Sequence, residues 1–343
     1  MRARFTHFPA LLPPADADGI IRLCERFGSY GMYGQKPIEE ELGHGLYQRH
    51  DAAMNYIRTG GRFGRRETFE QLSVRTNYFR ETYAYDRPVV DGIAGFLWHE
   101  GFLAAARAVF DRPVIVPAIV YANMLVPGQE LAVHTDVPEF RGANRTKDPE
   151  WLMVVMHHSK LFDRWRMPIA TGVSWFHGCR GGDFAFYPDG ADGAPDTVPA
   201  AHNTAILLDT DSVFHGVDRV AETAGPLPPL QIGMRLTHEG GDRWRVGFAD
   251  EAVVRYHWDG IRFSVSWKAY CYADEAERRM VEEHADDLTR PRIMAALLAD
   301  LRRRGRLGDE VPGGTDLALL LIDEYIRFPE PAVSPASASL AQT

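Results

Sequence analysis

The chain has 343 residues, of which 45% are hydrophobic and 25% charged, with a net charge of −9. This is ordinary globular composition with length enough for an ample core, which excludes a disordered or fibrous protein, and the acidic balance argues against a nucleic-acid binder, whose domain is usually basic. Three widely spaced cysteines, Cys24, Cys179 and Cys271, form neither a disulfide framework nor a zinc knuckle and suit a reducing cytoplasm, and no apolar run approaches the roughly 20 residues that a membrane span needs.

The first residues are basic, but the apolar stretch Phe8 to Leu12 is short and is followed by Pro13-Pro14, so it reads as no signal peptide. Ala15 to Phe27 carries Ile20, Ile21, Leu23, Cys24 and Phe27 at helical spacing, with Asp16 or Asp18 as its cap. Residues 28 to 66 are rich in Gly, Tyr and Arg without a period and read as a long loop region. Asp86 to Arg112 reads as one helix with Pro88 near its start.

From Pro113 the texture changes to short β-branched runs punctuated by Gly, Pro and Asp. Val114 to Val126, Leu131 to Val137, Trp151 to Met156, the strand within Gly181 to Gly190, Thr204 to Asp209 and Gln231 to Thr237 read as strands. Many short strands with turn signals between them predict a sandwich or barrel. Val253 to Tyr272 reads as a hairpin around Asp259-Gly260. Asp274 to Arg304 and Thr315 to Phe328 read as helices, and the tail from Pro329 as disordered.

The chemistry concentrates in Leu131-Ala132-Val133-His134-Thr135-Asp136-Val137. On a strand, side chains alternate faces, so His134 and Asp136 point the same way. With 13 histidines in the chain, an H-x-D triplet alone is a weak signal. It gains weight from its place just past the Pro127-Gly128 turn, after a strand whose Tyr121, Asn123 and Leu125 share a face. A second imidazole is available 81 residues on, at His215, at the start of a strand reached from the buried run Thr204 to Asp209. Two histidines and one carboxylate on one face of a ferrous ion leave the opposite positions open.

The succession Pro127-Gly128, His134-x-Asp136, Gly181-Gly182-Asp183-Phe184-Ala185-Phe186-Tyr187, His215-Gly216-Val217-Asp218-Arg219-Val220 and Arg235-Leu236-Thr237 resembles the iron(II)- and 2-oxoglutarate-dependent dioxygenases, in their prolyl-hydroxylase-like and AlkB-like branch. The likeness covers roughly residues 114 to 240. It implies a mainly β fold with flanking helices (α+β), with a double-stranded β-helix, the jelly-roll or cupin-like core, over 114–250. An N-terminal helical and loop region (1–113) and a hairpin with C-terminal helices (251–330) pack on that core, and 331–343 form the tail.

The resemblance further implies Fe(II) held by His134, Asp136 and His215, 2-oxoglutarate as cosubstrate and O2 as oxidant, with release of succinate and CO2. Arg235 is the expected partner of the distal carboxylate of 2-oxoglutarate, because a planar guanidinium binds a carboxylate bidentately and stays charged when buried. Thr237 adds a hydroxyl on the same face. Arg235 lies 20 residues past His215, twice the family's usual spacing; a loop insertion over Ala221 to Leu230 accounts for the excess, and Arg219 is the competitor. Asn123 falls where the AlkB-like branch contacts 2-oxoglutarate. Leu125 stands where that branch often has Tyr, and Tyr121 is the substitute.

Asp136 occupies the position that related halogenases leave to a small residue, so hydroxylation or desaturation is favoured over halogenation. The expected partner is a small-molecule or amino-acid-like substrate, with an anionic group among the options, and neither nucleic acid nor membrane. Arg58, Arg62, Arg65 and Arg66, or the segment Arg141 to Arg145, are candidates to meet such a group. Trp175, Phe176 and His177 read as core aromatics or as the barrel mouth, and His157-His158 as structural. The alternatives are an AlkB-like nucleic-acid demethylase, a protein hydroxylase and a non-oxygenase cupin-like metal-binding protein. The sequence leaves the oligomeric state open.

Overall fold

The computed structural model describes residues 2–331 apart from 35, 39–41, 66, 68–71, 73–74, 222–226 and 250. Arg66 of the basic cluster, part of the expected insertion and nearly all of the tail lie outside the described residues. In chain order the strands are β1 (Phe5–Phe8), β2 (Ser29–Tyr33), β3 (Pro37–Ile38), β4 (Leu46–Tyr47), β5 (Tyr78–Ala84), β6 (Val114–Leu125), β7 (Leu131–His134), β8 (Glu139–Phe140) and β9 (Arg166–Met167). They continue as β10 (Ile169–Trp175), β11 (Phe184–Phe186), β12 (Asp196–Val198), β13 (Thr204–Leu208), β14 (His215–Val217), β15 (Arg235–Gly240), β16 (Arg243–Phe248), β17 (Glu251–His257) and β18 (Arg262–Tyr272).

Two antiparallel sheets carry the site. The large one has the order β1-β13-β10-β18-β6-β5-β2-β15-β16-β17 and the small one β12-β11-β14-β7. From β6 onward the chain passes back and forth between them: β6 lies in the large sheet, β7 in the small, β10 in the large, β11 and β12 in the small, β13 in the large, β14 in the small and β18 in the large. The product is a mainly β body in which two sheets face each other and helices cover the outside.

The alternation along β18 shows how the sheet is packed. Phe263, Val265, Trp267, Ala269 and Cys271 belong to an apolar core shared with Ile20 and Leu23 of the helix Pro14–Phe27 and with Phe102 of the helix Glu100–Phe110. Arg262, Ser264, Ser266, Lys268 and Tyr270 take the opposite face, toward the small sheet, because side chains on a strand alternate. The helix Pro14–Phe27 starts on Pro14, whose missing N–H costs nothing at that position, and stops at Gly28 with φ 76°. Its cap is Pro13, not Asp16 or Asp18. A second cluster packs the helices Glu150–Ser159, Arg290–Arg303 and Gly314–Tyr325 behind β7, through Val133, Val137 and Phe214.

Several expectations are corrected. Trp151 to Met156 is helical, not a strand; every residue from Trp151 to His157 is buried, and a helix buried all round has no polar face to reveal its period. Asp86 to Arg112 is not one helix but two, Ala94–Leu97 and Glu100–Phe110; the His99 ring accepts the Phe102 N–H at the second N-terminus, 3.2 Å away. Asp274 to Arg304 likewise divides into Glu275–Glu282 and Arg290–Arg303. The stretch 28–66 is no plain loop: β2 enters the large sheet and His50–Thr59 is helical.

β17 and β18 form no hairpin. They are not neighbours, and the turn Trp258–Gly260 between them is 3-10 with no positive φ at Gly260, unlike the primed turns of two-residue hairpins. The core therefore does not end at residue 250, since β18 is hydrogen-bonded to both β6 and β10. Cys24, Cys179 and Cys271 are free thiols. No described helix is long and apolar enough to cross a membrane.

Trp267 ties the large sheet to its helical cover: it is fully buried, stacks on Phe102 with ring centroids 5.3 Å apart, and donates its indole N–H to Leu97 O at 2.8 Å. Trp267→Ala should lower the unfolding free energy by about 3–5 kcal/mol in denaturant titrations. A loss below about 1 kcal/mol would contradict this packing.

Candidate metal centre

β7 and β14 are adjacent antiparallel strands whose register sets His134 directly opposite His215. The two rings lie 4.5 Å apart between centroids. Asp136 follows β7, its backbone N–H fixed on Thr210 O at 2.8 Å. Its Oδ1 is 3.6 Å from Nε2 of His134 and 3.6 Å from Nε2 of His215, and one ligand atom from each of the three residues falls within 4.8 Å of the others. All three are partly or fully buried.

The remaining ring nitrogens settle which atoms face a metal. Nδ1–H of His134 donates to Ala132 O at 2.6 Å and Nδ1–H of His215 to Val213 O at 2.9 Å. A proton held on Nδ1 by a backbone carbonyl leaves the Nε2 lone pair free for a cation. Burial pushes the His134 pKa below its usual value, which keeps the ring in the neutral, ligating form.

Lys268, from the inward face of β18, donates to Asp136 Oδ2 at 2.7 Å. One carboxylate oxygen is thereby held by an ammonium while the other faces the imidazoles, an arrangement suited to a monodentate ligand. Burial alone would raise the Asp136 carboxyl, but Lys268 and the two imidazoles outweigh it and hold it well below the ordinary range. The reciprocal effect holds on Lys268: Asp136 overcomes the lowering by burial and raises its pKa. This donor set of two neutral imidazoles and one carboxylate suits a divalent first-row metal such as Fe(II) and occupies one side of it.

The other predicted site residues divide. Tyr121 lines a cavity of about 620 Å³ that also reaches His134, Asp136 and Lys268. Asn123 sits on β6 opposite Ser264, and its Oδ1 is buried without a hydrogen-bond partner. Arg235 and Thr237 are displaced from the site. They belong to β15, between β2 and β16, where Arg235 is paired with Glu81 at 2.9 Å with a side chain 45% exposed, and Thr237 meets Ser29 at 3.3 Å. The competitor Arg219 is bound to Glu130 at 2.9 Å and is not part of the cavity lining.

A literal Arg-x-Ser stands on the inward face of β18, as Arg262 and Ser264. Arg262 is fully buried. Its Nε donates to Gly182 O at 2.7 Å and its Nη1 to Ser264 Oγ at 3.2 Å, while Nη2 has no partner among the described residues. Burial pushes the guanidinium down to about 10, opposed only in part by Cys179 and Asp183 nearby. Trp175, in register with Ser264, likewise has an orphaned buried Nε1, and the Arg262 guanidinium lies 5.7 Å from its ring. Rings lead from there to the triad, Trp175 to Phe184 at 5.9 Å and Phe184 to His215 at 5.5 Å. Gly182 is required here, because a Cβ would meet Arg262 Cδ at 2.8 Å and φ is +72°.

Arg62 pairs with Asp218 and Arg58 with Asp323, Arg65 lies in a separate recess with Tyr56 and Glu130, and Arg141 pairs with Asp286, so among the described residues of the basic segments Arg145 alone reaches the cavity. Trp175 and Phe176 are buried in the core. His157 Nε2 meets Ser212 Oγ at 3.1 Å on the helix behind the site.

No protein-family model matches the chain, and no curated protein does. Solved structures do. A prolyl-4-hydroxylase from Pseudomonas putida is 10% identical, covering 78% of this chain and 92% of that one at a TM-score of 0.38. An oxidoreductase of the 2OG-Fe(II) oxygenase family from Burkholderia pseudomallei is 11% identical over 78% and 85%, at 0.38. HygX from Streptomyces hygroscopicus, with nickel, 2-oxoglutarate and hygromycin B bound, is 11% identical over 79% and 84%, at 0.39. At this level of similarity the site is read from its own geometry.

Two outcomes follow. Because His134 must be neutral to ligate and its pKa is depressed below 6.5, Ni(II) affinity measured by calorimetry should be nearly constant from about pH 8 to 7 and fall only in more acid solution; a steep loss already above pH 7 would contradict the assignment. Lys268→Met leaves the Asp136 carboxylate without its counter-charge, so the metal-free protein should lose up to about 3 kcal/mol of stability, discounted for partial exposure. Ni(II) should restore most of it, and a loss untouched by metal would show that Lys268 acts elsewhere.

Proposed function

We propose that this protein is an Fe(II)- and 2-oxoglutarate-dependent oxygenase with a jelly-roll core, acting on a small molecule. The passage of the chain between facing sheets from β6 to β18 supports the jelly-roll reading, since that fold is two four-stranded sheets wound in Greek keys. The observation that carries the function is the pairing of two features in one barrel. His134, Asp136 and His215 converge on one point, and a buried row of unsatisfied donors and an acceptor, Arg262, Trp175 and Asn123, lies deeper in the same interior.

Nε2 of His134, Oδ1 of Asp136 and Nε2 of His215 would hold the iron. Arg262 and Ser264 would hold the distal carboxylate of 2-oxoglutarate, with Asn123 beside them. A buried guanidinium without an anion is a costly group to keep. A carboxylate accepting its free N–H would remove that cost, which is why these residues fit the cosubstrate. When bound, the pair supplies oxidative decarboxylation: O2 places one oxygen in succinate, with loss of CO2, and one in the substrate, in a hydroxylation.

The chain's own residues orient and shield. The Ala132 and Val213 carbonyls fix the imidazole tautomers. Lys268 fixes the carboxylate, and Phe184 and Trp175 keep water from the path between Arg262 and the triad. The presence of Asp136 supports oxygen insertion over halide transfer, and a net charge of −9 disfavours the nucleic-acid demethylase alternative. A cupin-like metal binder without cosubstrate would have no use for a buried Arg262.

Calorimetry on the Ni(II)-loaded protein tests this. 2-Oxoglutarate should bind wild type, and Arg262→Met should weaken it roughly 30-fold or more, the cost of about 2 kcal/mol or above for a truncated buried charge pair, with Ni(II) affinity unchanged. Equal 2-oxoglutarate affinity in both proteins, or none in wild type, would refute the proposal.

A further inference from the structure

The cavity beside the metal centre, about 620 Å³, is of the size that takes small molecules. Its charged groups are matched almost throughout. Lys268 is held by Asp136, Arg49 by Asp51 at 3.0 Å, and Arg145 faces Glu150 at 4.0 Å. On the acidic side, Glu81 receives Arg235 at 2.9 Å, while Glu139 meets a neutral hydroxyl, accepting the Tyr270 O–H at 2.7 Å.

Arg80 is different. It lines the cavity from β5, partly buried, and among the described residues it makes no hydrogen bond and meets no carboxylate. Two rings hold it in place instead. Its guanidinium carbon lies 3.6 Å from the centroid of Tyr121 and 5.0 Å from that of Tyr33, and Tyr33 packs against Tyr78 at 5.4 Å. Stacking fixes the plane of a guanidinium but satisfies none of its N–H groups, which remain along the edge of the fork. The result is a preoriented donor edge in a tyrosine-walled cavity, with no carboxylate among the described residues against it.

We infer that Arg80 anchors the carboxylate of a planar small organic acid that is the substrate of this site. The word substrate rests on the oxygenase reading; the anion anchor does not. One guanidinium without a carboxylate partner suits one carboxylate; Arg49 and Lys268 are engaged by Asp51 and Asp136, while Arg145 faces Glu150 only at 4.0 Å, so phenyl phosphate is the probe that tells a single cationic contact from a double one. Beyond the two rings that Arg80 covers, Tyr47, Tyr78, Tyr85 and Tyr270 also line the cavity, and they favour a conjugated or aromatic body behind the carboxylate. The anchored end lies at Arg80, and the rest of the molecule extends toward His134 and Asp136, which line the same cavity. Arg80 on β5 lies opposite Asn123 and two strands from Ser264 and Arg262 on β18, so the two anions, substrate and cosubstrate, would meet different guanidinium groups on either side of Asn123.

The test uses the Ni(II)-loaded full chain and calorimetry. 2-Oxoglutarate is titrated first; benzoate, its neutral isostere benzamide and phenyl phosphate follow, each in the presence of saturating 2-oxoglutarate. Wild type should bind benzoate at least tenfold tighter than benzamide, and phenyl phosphate no tighter than benzoate. Arg80→Met should erase the preference for benzoate with 2-oxoglutarate affinity unchanged, and Arg80→Lys should restore part of it; thermal melts of both variants establish that they are folded. The inference is overturned if wild type does not prefer benzoate, if phenyl phosphate binds tenfold tighter than benzoate, or if Arg80→Met loses 2-oxoglutarate instead. If 2-oxoglutarate fails to bind wild type while an Arg80-dependent preference for benzoate persists, the oxygenase reading falls and the carboxylate anchor stands.

Discussion

The register between β7 and β14 is the constraint on which the rest depends. It sets His134 opposite His215, and one residue of slip on either strand would turn an imidazole out of the barrel. The small sheet alone does not complete the centre. Asp136 lies just past the end of β7, and its orientation comes from across the barrel, where Lys268 on β18 holds the outer oxygen. The candidate metal centre is thus made by the two sheets facing each other. Its stability is inseparable from the apolar faces that keep them in place, including the Trp267 and Phe102 contact on the far side of β18.

β18 explains how polar chemistry is carried into a buried space. One of its faces is apolar and packs on helices. The other presents Arg262, Ser264, Ser266 and Lys268 to the interior. A fold kept only for stability would not retain a guanidinium there with an open N–H, an indole N–H without acceptor and an amide oxygen without donor, because each uncompensated group costs free energy. Two of these orphaned atoms, on Asn123 and Trp175, flank Ser264 in one register row, and the third belongs to Arg262, which donates to Ser264. They mark a place where a ligand completes the interior.

The triad was readable in the sequence because each part is local: an H-x-D on a strand past a Pro-Gly turn, and a histidine opening another strand. The rest depends on separations that no local pattern carries. Arg235 reads as the cosubstrate arginine because it lies mid-strand in an apolar run with Thr237 on the same face, but β15, β16 and β17 form an added edge to the large sheet, and the chain returns to the strands around the site only at β18. The alternation Arg262, Ser264, Ser266, Lys268 against Phe263, Val265, Trp267, Ala269 was present to be read, and it spells the Arg-x-Ser more closely than Arg235-Leu236-Thr237 does. Reading Val253 to Tyr272 as an isolated hairpin concealed it. Lys268 acts on a carboxylate 132 residues away, and Arg80 is defined by what it lacks, so neither had a sequence signal. The helix Glu150–Ser159 was mistaken for a strand because complete burial removes the polar face on which periodicity depends.

The most direct test is a crystal structure of the protein with Ni(II) and 2-oxoglutarate. The account predicts one metal ion held by Nε2 of His134, Oδ1 of Asp136 and Nε2 of His215, chelated by the keto-acid end of the cosubstrate, whose far carboxylate lies on Arg262. A metal bound elsewhere, or a far carboxylate resting on Arg80, Arg219 or Arg235, would contradict it.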